Sequence, residues 1–200
     1  TLYYAHKLKP LTVLLDTGSG EHRRLLNITD IAEDFGEEYC DTLLGYFVYT
    51  GEDTNCAFRG KGKVNPLKKL QKKPRYQSTF RKLGIDWEPS DLLKLELEEF
   101  TCEMYSHPKL KQVNKVRSIM LNKMVGSKTD KILAKSKVDL SRLPPCLRSL
   151  VPHIQRENYR VAQWKRSHIE KPYLPPHTNH GWVKDGDILE PLWSDGPILP

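Results

Sequence analysis

Charge runs along this chain in alternating blocks, and that pattern limits what it can fold into. Residues 16–53 hold ten acids and two bases, and residues 59–82 hold ten bases and no acid. Residues 83–107 hold seven acids and one base, and residues 109–137 hold nine bases and one acid. A fold must either bring opposite blocks together or leave them on separate solvated faces, because an unpaired charge is costly to bury. The surplus is basic, a formal +7 over 200 residues. That surplus makes a polyanion such as nucleic acid a candidate partner. Basic blocks of this kind either follow a phosphate backbone, releasing its counterions, or neutralise acids elsewhere in the fold.

Composition removes several classes. With 38% hydrophobic residues the chain can bury a core, which argues against full disorder. A mean hydropathy of −0.59, with no apolar run near the ~20 residues a span needs, argues against a membrane helix. No long apolar stretch follows a charged start, so no secretory signal is predicted and the chain reads as intracellular. Cys40, Cys56, Cys102 and Cys146 form no CxxC pair, so reduced core thiols are expected and not a zinc site or disulfide framework. His177-x-x-His180 is the one close histidine pair, and in a Pro-rich loop it lacks obvious partner ligands.

Local patterning predicts a little strand and then much helix, an α/β class. Residues 11–15 and 24–28 read as short strands, and Asp16-Thr17-Gly18-Ser19-Gly20 reads as a turn between them. Helices are predicted over 30–35, 37–49, 65–72, 75–83, 90–106, 110–125 and 145–168, with Ser90 and Pro145 as starts. Residues 171–200 read as an irregular Pro- and Trp-containing tail. Three regions follow: 1–88, a helical extension over 89–170, and the tail. Asp16-Thr17-Gly18 after two leucines also resembles the active-site loop of retroviral-type aspartic proteases. A protease of that kind needs a mostly β chain, so a turn-forming role for Asp16 is the plainer reading.

The second motif is Thr50-Gly51-Glu52-Asp53 followed by Gly60-Lys61-Gly62-Lys63 and a lysine-rich segment carrying Lys68 and Lys69. Glycines allow close approach of a phosphate, and lysines add charge. The spacing predicts a turn over 60–63 between two helices, with free backbone N–H groups. Gly51-Glu52-Asp53 and Gly60-Lys61-Gly62 stand in the order of the Gly-x-Asp and Gly-Ile-Gly segments of flap-endonuclease-like, PIN-like nucleases. The chain resembles, over much of its length, uncharacterised mobile-element-associated animal proteins with such a domain. The shared stretches include residues 12–18, 57–63, 135–146 and 181–193.

That resemblance implies an incomplete PIN-like α/β domain with a few short parallel strands, ahead of a mainly helical region. It implies nucleic acid as partner, in the nucleus or elsewhere in the cell, and Mg²⁺ or Mn²⁺ as cofactor if the domain is active. Asp53, and more remotely Asp16, would be metal ligands. Gly60, Lys61, Gly62, Lys63, Lys68 and Lys69 would contact the phosphate backbone. An Asp-bearing strand should precede Thr1, so the chain reads as a fragment that binds without cutting, since metal nucleases need several converging carboxylates. The rival expectation is a protein-interaction or structural domain whose charge blocks pair internally. The two differ on residues 59–82, which are exposed on one face in the first case and paired with the acids of 83–107 in the second.

Overall fold

The first strong constraint is a glycine inside a helix. In the computed structural model, which describes residues 1–53, 56–125 and 139–196, helix α3 (Glu37–Tyr49) packs against α5 (Pro74–Lys82). A Cβ at Gly45 would lie 2.3 Å from the Phe80 carbonyl oxygen. Only glycine therefore lets these two backbones meet. Thr42 adds a side-chain hydrogen bond from α3 to the Gln77 carbonyl at 3.3 Å.

That approach places aromatic rings in one cluster. Tyr46 and Tyr49 of α3, Phe80 of α5 and Phe100 of α6 (Asp91–Met104) meet edge to face or tilted, with Phe80 and Phe100 centroids 4.8 Å apart. Such pairs add to the burial of large apolar area. Leu70 of α4 (Val64–Gln71), Val113 and Val116 of α7 (Val113–Val125), and Leu150, Ile154 and Val161 of α8 (Leu147–Lys165) complete this core. One cluster thus draws residues from both sides of position 88.

Helix starts follow local chemistry. Ser90 caps α6 by accepting from the Leu93 N–H at 3.2 Å, and Pro74 opens α5, where a missing N–H costs no helical bond. The predicted helices are present with small shifts: the expected 90–106 is Asp91–Met104 and the expected 145–168 is Leu147–Lys165. Asn158 of α8 ties down the link after α5. Its Oδ1 accepts from Gly84 N–H and its Nδ2 donates to the Asp86 and Trp87 carbonyls, each at 2.9 Å.

The chain is mixed α/β, but its strands differ from expectation. Strands β1 (Leu14–Thr17) and β2 (Arg24–Asn27) pair antiparallel, with Leu15 opposite Leu26. The expected parallel arrangement is not found there, since residues 18–23 are too few for the crossover a parallel pair requires. The ribbon leans on α1 (Leu2–Ala5) and α2 (Ile28–Phe35) through a small second core of Ala5, Ile28, Ala32 and Cys40. The tail expected to be irregular contains a second antiparallel hairpin, β3 (Trp182–Asp185) and β4 (Ile188–Pro191). Gly186, at φ +57°, makes its turn. No helix among the described residues is long and apolar enough to cross a membrane.

Lys165 is the last residue of α8 and lies near Asp41 of α3. Burial pushes its ammonium down to about 8 despite the nearby Asp41 carboxylate, and burial also raises Asp41. Desolvation therefore outweighs the attraction of the two charges. Lys165 Nζ donates to the Arg81 carbonyl at 2.8 Å.

Two outcomes follow from this packing. Gly45→Ala should destabilise the fold by about 1–3 kcal/mol, the range for overpacked cores, read as a lower urea midpoint at unchanged slope. For Lys165, the folded state holds its proton less tightly than the unfolded chain, whose lysine titrates near 10.4. Stability is thus reduced below pH 8 and recovers as pH rises from about 8 towards 10.4. Chemical denaturation across that window should show the parent gaining about 1–3 kcal/mol relative to Lys165→Met. Parallel pH curves for the two proteins would contradict this account.

Candidate functional site

The basic block of residues 59–82 meets the acidic block that follows it. Glu96, Glu99 and Glu103 fall at helical spacing on one face of α6. Lys73 pairs with Glu103 at 2.5 Å and Lys82 with Glu96 at 3.1 Å, and Arg75 pairs with Glu99. Tyr76 donates to Glu103 Oε2 at 3.1 Å, and Lys69 Nζ donates to the Glu103 carbonyl. Arg81 turns instead to Glu38 at the start of α3. Much of α5 is thus neutralised within the fold, as the structural-domain expectation requires. Lys68 and Lys72 remain exposed.

Gly60, Lys61 and Gly62 lie in the connection between α3 and α4, as the spacing predicts. Gly60 takes φ +71°, a conformation that favours glycine, whereas a Cβ at Gly62 would meet open space. The Lys61 N–H is not free, because it donates to the Phe58 carbonyl at 2.9 Å. The two lysines have separate surroundings. Lys63 Nζ donates to the Phe47 carbonyl at 2.8 Å and to Thr50 Oγ1 at 3.2 Å, and also to the Gly51 carbonyl. It places a cation on the open carbonyls at the end of α3. Lys61 Nζ sits 4.4 Å from the Tyr105 ring centroid. Burial lowers both ammonium pKa values; the Lys69 and Arg142 charges add to this at Lys61, while Glu52, Glu157 and Asp53 oppose it at Lys63.

The end of α3 also faces a polar stripe of α8. His153, Arg156, Glu157 and Arg160 stand at positions i, i+3, i+4 and i+7, one face of the helix. His153 Nε2 donates to the Tyr49 carbonyl at 3.2 Å, and its Nδ1 lies 3.3 Å from Glu157 Oε1. Burial, with Arg156 nearby, pushes this imidazole down to about 4, so the ring is neutral at pH 7. Arg160 Nε stands 3.7 Å from Glu52 Oε1. Arg156 Nη1 donates to the Gly181 carbonyl at 3.0 Å and to the Leu192 carbonyl at 2.7 Å. The tail hairpin is thereby fastened over α8. Its seat is tight: a Cβ at Gly181 would lie 2.3 Å from the Pro152 carbonyl oxygen.

Two neighbouring cavities result. One, of about 310 Å³, is lined by Asp53, Cys56, Arg156, Arg160, Trp182 and Trp193 among others. The second, of about 260 Å³, shares Cys56, Arg156 and Trp193 and extends to Arg59, Tyr105 and Ser141. Sequence reasoning placed Asp53 here but missed the α8 stripe. Its signal was polar residues at helical spacing in a segment otherwise patterned for burial, His153-x-x-Arg156-Glu157-x-x-Arg160. It singled out Trp193 as a docking residue of the tail but missed its partner Arg156, which is remote in sequence.

Asp53 and Asp16 are not brought to one cavity. Asp16 lies on β1, where Arg23 Nη2 donates to Oδ2 at 2.5 Å and Nε to Oδ1 at 2.9 Å, holding the carboxyl below its usual range. The turn expected from Asp16 begins only at Gly18, since Asp16 and Thr17 pair with Leu25 and Arg24 in the strands; Gly18 at φ +86° has no room for a Cβ beside the His22 carbonyl. Asp53 shares its cavity with two guanidinium groups. Mg²⁺ and Mn²⁺ favour oxygen ligands, so the donors around Asp53 suit an anion better than either ion. Among the described residues, no group of three or more His, Cys, Asp or Glu could hold a metal ion. His177 and His180 stack around Tyr159, with centroids 4.8 and 5.0 Å from its ring. Cys40 and Cys102 are buried thiols, the latter pushed up to about 12 by burial.

No protein-family model, curated protein or solved structure matches this chain.

Because Lys63 holds the end of α3, Lys63→Met should lower stability by about 1–3 kcal/mol, the cost of leaving buried carbonyls unmet. Lys68→Ala, on an exposed site, should stay within about 0.5 kcal/mol of the parent. Equal denaturation midpoints for all three proteins would remove the capping role.

Proposed function

We propose that this chain is a nucleic-acid-binding module that grips the phosphate backbone without cutting it, in keeping with the PIN-like resemblance of its sequence. The observation that carries the reading is the grouping of Lys61, Lys69 and Arg142, whose charges add to burial in lowering the Lys61 ammonium. This group stands beside Tyr105, next to the cavity that Arg59 and Ser141 line. Among the described residues, no ion pair involves Lys61, Lys69 or Arg142. A cluster of like charges is unfavourable on its own and is relieved when a polyanion docks. The acids of α6 neutralise α5 and leave this corner as the cationic face. Arg59 is only loosely held, 3.5 Å from Asp139.

Phosphate contacts carry no base information, so binding should be indifferent to sequence. The rival reading, an interaction domain with internally paired charge, draws support from the α5–α6 ion pairs. Salt dependence separates them. Duplex DNA affinity should fall with salt along a log–log slope of about −0.9 per phosphate neutralised. The Lys61→Ala/Arg142→Ala double variant should weaken binding to all sequences alike and flatten the slope by about two. Lys63 is best left intact in this test because it holds α3. Absent binding, or affinity untouched by the double variant, would favour the interaction domain.

A further inference from the structure

The cavity under the tail hairpin brings two guanidinium groups and two indole rings together. Arg156 and Arg160 enter from α8, and Trp182 and Trp193 enter from the ends of the hairpin. Asp53 stands at the exposed side, after the end of α3. We propose that this cavity binds one nucleoside monophosphate unit, with its phosphate on the arginines and its base against Trp193.

Each element of that ligand has a counterpart. Guanidinium groups present paired N–H donors to a phosphate. Arg156 is held in place by its bonds to the Gly181 and Leu192 carbonyls, so little orientation is lost on binding. The Arg156 guanidinium carbon lies 5.6 Å from the Trp193 ring centroid, which sets phosphate and base sites side by side. Trp193 is 61% exposed, leaving an indole face open to stacking, which any base tolerates. Asp53 offers a carboxylate acceptor to an exocyclic amino group. At about 310 Å³ the space lies at the lower end for small-ligand sites. A bare cation is disfavoured by the two arginines in the lining.

This inference deepens the nucleic-acid reading and rests on it. The shared chemistry could arrive as a free mononucleotide or as the unpaired end of a strand. Titration calorimetry should be run with the four nucleoside 5′-monophosphates, with inorganic phosphate, and with a short single-stranded 5′-phosphorylated oligonucleotide. Salt is kept at about 0.5 M, where exposed lysine–phosphate contacts are screened. The expected result is saturable binding of a mononucleotide, at least tenfold weaker in Trp193→Ala and shifted in base preference in Asp53→Asn. Inorganic phosphate should bind far more weakly than the nucleotide. Both substitutions lie at exposed positions, and unchanged thermal melting would show that each variant is folded. Binding of the oligonucleotide alone, lost in Trp193→Ala, would assign the site to a strand end and still support the proposal. If neither probe binds, or if Trp193→Ala binds as well as the parent, the proposal is overturned. Low-salt duplex binding that persists in Trp193→Ala would then leave the backbone-binding reading standing on its own.

Discussion

The meeting of α3 and α5 at Gly45 and the Phe80 carbonyl sets the rest of the molecule in place. With those backbones in contact, Tyr46 and Tyr49 reach Phe80 and Phe100, and α6 is drawn in through its own phenylalanine. Tyr49 then lies deep enough to donate its hydroxyl to the Leu97 carbonyl at 3.2 Å and to offer its own carbonyl to His153 at 3.2 Å. One aromatic residue thereby touches α6 and α8 together. A side chain at position 45 would push α5 outward and loosen each of these contacts, because packed interiors do not deform smoothly.

Once α5 and α6 are neighbours, the charge blocks sort themselves. Bases at helical spacing on α5 face acids at helical spacing on α6, and the pairing needs little beyond that register. Individual exposed pairs are worth little. Glu103 differs, since its carboxylate is nearly buried and is met by both Lys73 and Tyr76. The sorting has a further effect. Acids spent on α5 are not available to Lys61, Lys69 and Arg142, and of the acids near the corner where the 56–63 connection meets residues 139–149, Asp139 stands with Arg59 and Arg142.

Beside that corner the tail forms one wall of two open cavities. Arg156 holds two tail carbonyls, the Asp195 N–H donates to the Arg148 carbonyl at 2.8 Å, and Gly181 fits where no side chain could. Without the hairpin, Arg156 would lose both of its tail carbonyl partners. With it, His153, Arg156 and Arg160 line cavities beside two tryptophans. Function in this region thus depends on residues far apart in the chain, joined by hydrogen bonds to backbone carbonyls.

The sequence by itself determined the elements whose causes are local. Helix periodicity, the Ser90 cap, Pro74, and the glycine at position 60 set α3 to α8 and the turn before α4, because each depends on neighbours a few residues away. The charge blocks were also plain, and so was a turn after β1, although it starts at Gly18 and not at Asp16. Direction and partnership were not. Whether β1 meets its neighbour parallel or antiparallel depends on which segment docks beside it. Lys63 read as a phosphate contact until the end of α3, twelve residues back at Gly51, closed around its ammonium. The hairpin of 182–191 was hidden in a Pro-rich tail because its strands are short and gain their order from α8. Only tertiary packing decided these points, since a lysine or a tryptophan carries no local sign of the distant carbonyl or guanidinium it will meet.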